Sequence, residues 1–252
     1  MTNGKPLTRI YFPGEILAHG VCTLAPDQAH HVARVLRLAV GAAVVLFDGC
    51  GSEHSAVITH IAKARVTLQV GASRAVDRES PLAVMLAQGI SSGERMDFTI
   101  QKAVELGVAA IRPLASHRSV VRLDAARALK RAAHWQAIAI AACEQCGRNT
   151  VPQVLPVMDF TDWLAHEARQ AATLRVLLSP EGQATLGVLS RPSGMVTLLA
   201  GPEGGLSPQE QQDALSTGFT PVRLGPRILR TETAALAALS AMQMLWGDFK
   251  SP

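Results

Sequence analysis

Two glycine-proline loops in the last quarter of the chain hold the residues best suited to chemistry. They are Gly201-Pro202-Glu203-Gly204-Gly205 and Gly225-Pro226-Arg227-Ile228-Leu229-Arg230-Thr231-Glu232-Thr233. Each follows a short apolar run, 195–200 and 219–224. Such runs, bounded by turn residues, read as buried strands. Glycine directly after a strand lets backbone come close to another group, or take a positive φ, where a side chain would clash. In open α/β sheets, ligands sit at the carboxyl ends of strands, where such loops lie. One such loop is as readily a plain turn as a site. Two close in sequence can form two walls of one pocket.

The elements around these loops are strongly punctuated. Ser207-Pro208-Gln209-Glu210 has serine at the N-cap, proline at the first helical position and glutamate at the third, a capping box. Gly218 stops that helix, and Thr231 is the predicted cap of the last one. Upstream, from residue 82, strands and helices alternate. Strands are predicted over 82–88, 110–115 and 174–178. Helices are predicted over 93–106, capped by Ser92, over 125–146, capped by Asp124, and over 160–171. This alternation predicts an α/β domain with a largely parallel sheet.

Residues 1–74 read differently. Strands are expected at 9–12, 43–47, 54–61 and 65–70, with a hairpin signal at Asp48-Gly49. A helix over 29–38 has Val32, Val35, Leu36 and Leu38 as its apolar positions. A small β-barrel with one helix fits, followed by a charged linker over 74–81. The domains are therefore expected at 1–74 and 75–252.

Composition sets bounds. With 48% hydrophobic and 17% charged residues, 252 residues suffice for a substantial core. The net charge of +4 and pI near 9.1 permit a polyanionic partner without naming one. Only 4% is aromatic, which argues against a broad base-stacking platform. No apolar run is long enough to span a membrane, and residues 1–5 do not open a signal peptide, so a soluble cytoplasmic protein is expected. A dinucleotide fingerprint, a P-loop, a zinc-protease helix and a serine nucleophile elbow are all missing from the sequence. No histidine or cysteine spacing makes a metal site. Cys143 and Cys146 form a lone C-x-x-C on a predicted helix, read as reduced thiols before a redox pair.

Taken together, residues 200–207 and 224–234 resemble the ribosomal small-subunit RNA methyltransferase E family, uracil-N3 methyltransferases of the SPOUT class. The likeness extends to Arg9-Ile10-Tyr11-Phe12, to residues 30–37 and 93–102, and to Glu144-Gln145-Cys146-Gly147-Arg148. It implies a C-terminal domain with a deep trefoil knot, a PUA-like N-terminal domain and a homodimer. It also implies S-adenosyl-L-methionine as cofactor and 16S ribosomal RNA as substrate, within small-subunit particles. By the resemblance, Leu199, Ala200, Gly201, Pro202, Glu203 and Gly204 wrap the cofactor from one side. Leu224, Gly225, Ile228, Leu229, Arg230, Thr231, Thr233 and Ala234 do so from another, and Leu178, Ser179 and Pro180 form a third wall. Where the family usually has a basic residue before Gly93, this chain has Ser92.

Methylating N3 requires that its proton leave, which a base or donors to the uracil oxygens can promote. Glu203 is the candidate base or cofactor contact and Arg230 the candidate anion stabiliser, with Arg227 behind it. Each also has a structural reading: Glu203 capping amides of its own loop, Arg230 pairing with Glu232. Arg9, His31, Arg34, Arg37, Arg118 and Arg148 are the expected RNA contacts. A methyltransferase with another RNA target and a non-catalytic RNA-binding protein remain the alternative readings.

Overall fold

A computed structural model describes residues 7–62, 65–119, 124–170 and 174–250. The leader reading of residues 1–5, the domain limits at Met1 and Pro252 and the expected helix end at Ala171 lie outside them. The chain divides into two compact units, Met1–Glu79 with Cys143–Val151, and Ser80–Ala142 with Pro152–Pro252.

In the first unit, β1 (Thr8–Tyr11), β2 (Val21–Thr23), α1 (Pro26–His30), β3 (Ala43–Phe47), β4 (Ser52–Ala62) and β5 (Arg65–Ala75) follow in order. The strands form one sheet in the order β1-β3-β4-β5-β2, parallel between β1 and β3 and antiparallel elsewhere. Alternate residues of β3 to β5 face the core, among them Leu46, Ile58, Leu68 and Val70. The expected helix over 29–38 is broken. After α1 the chain makes a π-helical turn, His31–Val35, and the Leu36 amide donates to the His31 carbonyl. The wider turn shifts the helical phase. Val32 stays in the core, while Val35 turns out to 60% exposure.

This unit also buries a charge. Glu53 accepts bonds from Arg9 and Arg74 at 2.8 Å and lies 3.4 Å from Arg78. Cys143 is fully buried, and burial pushes its thiol up to about 12. All four cysteines are free thiols.

The second unit runs β6 (Val84–Gly89), α2 (Gly93–Glu105), β7 (Ala110–Ala115), α3 (Ala125–Cys146), β8 (Gln153–Val154), β9 (Met158–Asp159), α4 (Phe160–Glu167), β10 (Leu174–Leu178), β11 (Val196–Ala200), α5 (Pro208–Ser216), β12 (Thr220–Val222) and α6 (Thr231–Trp246). The sheet order is β12-β10-β11-β6-β7-β8, with β9 also beside β7, and every pairing is parallel. All five residues of the central strand β11 are buried, as its unbroken apolar run requires in a parallel sheet. Helix α4 ends at Glu167, short of the expected 171. Among the described residues, no helix is long and apolar enough to cross a membrane.

Candidate functional site

The loops leaving β10, β11 and β12 at their carboxyl ends enclose a cavity of about 340 Å³ in the second unit. Leu178, Ser179 and Pro180 line it from the first loop. Ala200, Gly201, Pro202, Glu203 and Gly204 line it from the second. Leu224, Ile228, Leu229, Arg230, Thr231 and Ala234 come from the third loop and the first turn of α6. Three residues expected there are elsewhere. Leu199 is packed in the core between α4 and α5, Gly225 sits at a turn with φ +78°, and Thr233 is exposed outside the cavity.

The capping box of α5 forms as read. The Ser207 hydroxyl accepts from the Glu210 amide at 3.2 Å, and Glu210 Oε2 accepts from the Ser207 amide at 2.7 Å. Glu210 Oε1 also accepts from the His117 amide, tying the helix to the loop after β7. The glycines differ in what they do. A Cβ on Gly201 would lie 3.0 Å from the Leu206 amide nitrogen, so this glycine lets the loop close on itself. A Cβ on Gly89, at the end of β6, would lie 2.5 Å from Pro202, so Gly89 lets the loop lie against the sheet.

Two expected helix caps work differently. Arg230, not Thr231, is the N-cap of α6, and the Thr231 hydroxyl donates to the Gly201 carbonyl. Buried Gln88 donates to that same carbonyl at 3.2 Å and to the Thr231 hydroxyl at 3.0 Å. The start of α6, the glycine loop and the end of β6 are thus locked together. Ser92 occupies the N-cap of α2, but its hydroxyl makes no cap bond. It donates to Glu203 Oε1 at 2.8 Å, as does the Ser92 amide, and Arg95 approaches the same oxygen at 3.2 Å. Burial pulls the Glu203 carboxyl up. The bonds from the Ser92 amide, the residue's own amide, the Ser92 hydroxyl and Arg95 outweigh burial and hold the carboxyl below its ordinary value. Glu203 is therefore a fixed anion that pins the glycine loop to the start of α2.

Among the described residues Arg230 forms no ion pair, and the expected pairing with Glu232 is not made. Arg230 is exposed at the cavity wall, as are Arg223 and Arg227. Arg95, Gln211 and Arg223 line the cavity without having been expected to, and Glu232, within the expected stretch 224–234, lines it with them. No local pattern pointed to Arg95, whose contact with Glu203 spans 108 positions of sequence.

The expected RNA contacts separate into two groups. His31, Arg34 and Arg37 are exposed, and Arg118 is exposed with its guanidinium 3.2 Å from the Gly204 carbonyl. Arg9 and Arg148 are corrected to structural positions. Arg9 is 11% exposed, bound to Glu53, to the Arg148 carbonyl and to Asn149, with its guanidinium 4.7 Å above the Phe47 ring. Arg148 is 5% exposed and forms a forked pair with Glu79. Neither offers a free guanidinium to a phosphate. Among the described residues no group of three or more His, Cys, Asp or Glu is placed to hold a metal ion.

Comparison with known proteins gives a consistent answer. Residues 78–243 match the RNA methyltransferase domain and residues 24–71 the RNA methyltransferase PUA domain. A crystal structure of a ribosomal RNA small subunit methyltransferase E from Neisseria gonorrhoeae, bound to S-adenosyl methionine, is 44% identical. It superposes with a TM-score of 0.89 over 97% of this chain and 100% of that one. A Legionella pneumophila protein solved in complex with S-adenosyl methionine is 40% identical, with a TM-score of 0.92 over the same shares. The ribosomal RNA small subunit methyltransferase E of Buchnera aphidicola is 35% identical over 98% of this chain and 96% of its own. That of Bacillus subtilis is 34% identical over 90% and 92%. Because the domain match covers most of the chain and these identities run along nearly all of it, the chain belongs to the ribosomal RNA small subunit methyltransferase E family.

Proposed function

We propose that the chain methylates N3 of a uridine in 16S ribosomal RNA, using S-adenosyl-L-methionine. The observation that carries this reading is the three-walled cavity at the strand ends, in a chain 44% identical to a protein whose structure holds that cofactor. The lining fits the cofactor chemically. Leu178, Leu206, Val222 and Leu229 give apolar surface for a purine, the glycine loop offers backbone groups, and arginines and glutamates face a ligand that carries both signs of charge. S-adenosylmethionine supplies a methyl group already activated by a sulfonium.

The chain's own residues supply position and electrostatics. Holding a base in line can lower a barrier by several kcal/mol. The loop lock through Gln88, Thr231 and Gly201 and the pin through Glu203 give the rigidity this needs. Arg230, exposed at the wall, is placed to donate to the uracil oxygens as N3 loses its proton. With Oε1 engaged by three donors and its pKa held down, Glu203 serves better as loop anchor and fixed charge than as the base.

The finer features belong to the same reading. The first unit acts as a PUA-like barrel that docks RNA through His31, Arg34 and Arg37, and the second carries the methyltransferase site, with the boundary near 74–80. The second carries a trefoil knot. In support, β12 is at one edge of its sheet, yet α6, which follows it, is fastened at Thr231 to the loop after β11 and the end of β6. The protein works as a homodimer in the cytoplasm on assembled small-subunit particles. Light scattering should then return twice the chain mass of 26.7 kDa. The deciding experiment is calorimetric titration with S-adenosylmethionine, with NAD as control, followed by mapping of methylated uridine in small-subunit particles. Saturable binding of the first ligand alone and a new N3-methyluridine support the reading. Absence of binding, both to the free protein and to its mixture with particles, overturns it.

A further inference from the structure

We infer that Glu232 is the countercharge for the cationic sulfonium of the cofactor, an inference that rests on the reading above. Four arginines line the cavity, Arg95, Arg223, Arg227 and Arg230, against two carboxylates, Glu203 and Glu232. A cationic centre entering such a lining needs an anion that the protein has not already neutralised. Glu203 also has a shielded Oε2 without a partner, but it is not that anion, because Arg95 and two Ser92 donors already meet its charge through Oε1.

Glu232 is different. Among the described residues it forms neither a hydrogen bond nor an ion pair, and its Oε2 is shielded from solvent with no partner. A shielded carboxylate oxygen without a donor is costly unless something else compensates it. Part of the compensation is local. Glu232 is the second residue of α6, where the positive end of the helix dipole favours a carboxylate. The dipole gives the oxygen no hydrogen-bond donor. A sulfonium offers a full positive charge and no N–H or O–H. A carboxylate that is charged and without donors suits it, and the Coulomb attraction is stronger beside a protein wall than in bulk water.

The test uses two ligands that differ at this one atom. S-adenosylhomocysteine has a neutral thioether where S-adenosylmethionine has the sulfonium. Calorimetric titration of the full-length wild type and of Glu232→Gln with each ligand separates charge from shape. The expected result is that Glu232→Gln weakens S-adenosylmethionine by about tenfold or more and leaves S-adenosylhomocysteine within about threefold. Equal losses for both ligands would assign Glu232 to holding α6, and no loss for either would remove it from the site. Either outcome overturns the inference. Glu203→Gln is the contrasting variant, expected to weaken both ligands alike because it loosens the loop. A melting curve for Glu232→Gln within a few degrees of wild type excludes a folding defect, and Glu232→Ala, which also removes the charge, is the replacement variant if that curve shifts. Failure of the wild type to bind either ligand, both alone and mixed with small-subunit particles, would instead overturn the cofactor reading itself.

Discussion

Glu203 and Glu53 are both carboxylates held below their ordinary value, and for the same reason. Burial raises each, and donated hydrogen bonds more than reverse it, from Ser92 and Arg95 at Glu203 and from Arg9, Arg78 and Asn149 at Glu53. For Glu203→Gln, the amide keeps an oxygen for Ser92 but loses the charge that Arg95 meets. Charge-assisted bonds contribute roughly 1.5–3 kcal/mol. Affinity for both cofactor forms should drop about tenfold or more, and turnover should fall with it. Calorimetry and a methyl-transfer assay check this, and full retention of both would remove Glu203 from any role at the site. The sign of the pH effect follows from the direction of the shift. A depressed carboxyl stabilises the fold fully above the unfolded value near 4.5, and that contribution is lost as pH falls below it. Denaturant melts from pH 6 downward should therefore steepen below about 4.5 in the wild type. Glu53→Gln should start less stable and lose less over that interval.

At the scale of elements, α5 is the clearest case of a short sequence signal with a long-range consequence. Its capping box was legible because all four residues are contiguous and their geometry is local. The additional bond from Glu210 to the His117 amide was not, because it joins residues 93 apart. Glu210→Ala should cost about 1–2 kcal/mol for the cap, and more because the His117 amide loses its partner. Thermal unfolding measures the first effect. Faster amide exchange at His117 than in the wild type would report the second. The same contrast runs through the rest of the chain. Periodicity located α2, whose buried face repeats in the sequence, and an unbroken apolar run located β11. Local pattern could not show that Arg230 rather than Thr231 caps α6, nor that Ser92 holds the N-cap of α2 without a cap bond, since the two hydroxyls are claimed by Gly201 and Glu203 from distant parts of the chain. It also missed the π-helical turn, because Val35 and Leu36 fit a regular helix until the chain widens at His31. The glycine loops were legible as turns. That three of them meet around one cavity, with Arg95 and Glu232 in its wall, follows from strand order, which no local pattern carries.

At the scale of the whole molecule, the arginines proposed to bind RNA have to be separated from those that hold the fold. Exposure and partners make the separation. Arg34 and Arg37 are exposed, and Arg37 takes a φ of +51°, a conformation uncommon for any residue but glycine. Arg9 and Arg148 are buried against Glu53 and Glu79. The two classes should respond in opposite ways. Each lost phosphate contact to single-stranded RNA flattens the dependence of log affinity on log salt by about 0.7. Replacing Arg34 and Arg37 together with alanine should therefore lower the slope by about 1.4, with little change in melting temperature. Arg9→Ala should leave the slope of the folded protein intact. It takes from Glu53 its most buried partner but leaves Arg74 and Arg78 beside the carboxylate, so the stability loss should stay below the roughly 3–5 kcal/mol that a fully unpaired buried charge costs. Filter-binding titrations over a salt series, paired with urea denaturation of each variant, give both numbers. An unchanged slope in the double variant would move the docking surface away from the π-helical turn. Arg118 would then be the next residue to replace, because it lies against the glycine loop of the cavity and a phosphate held there would be near the reacting base.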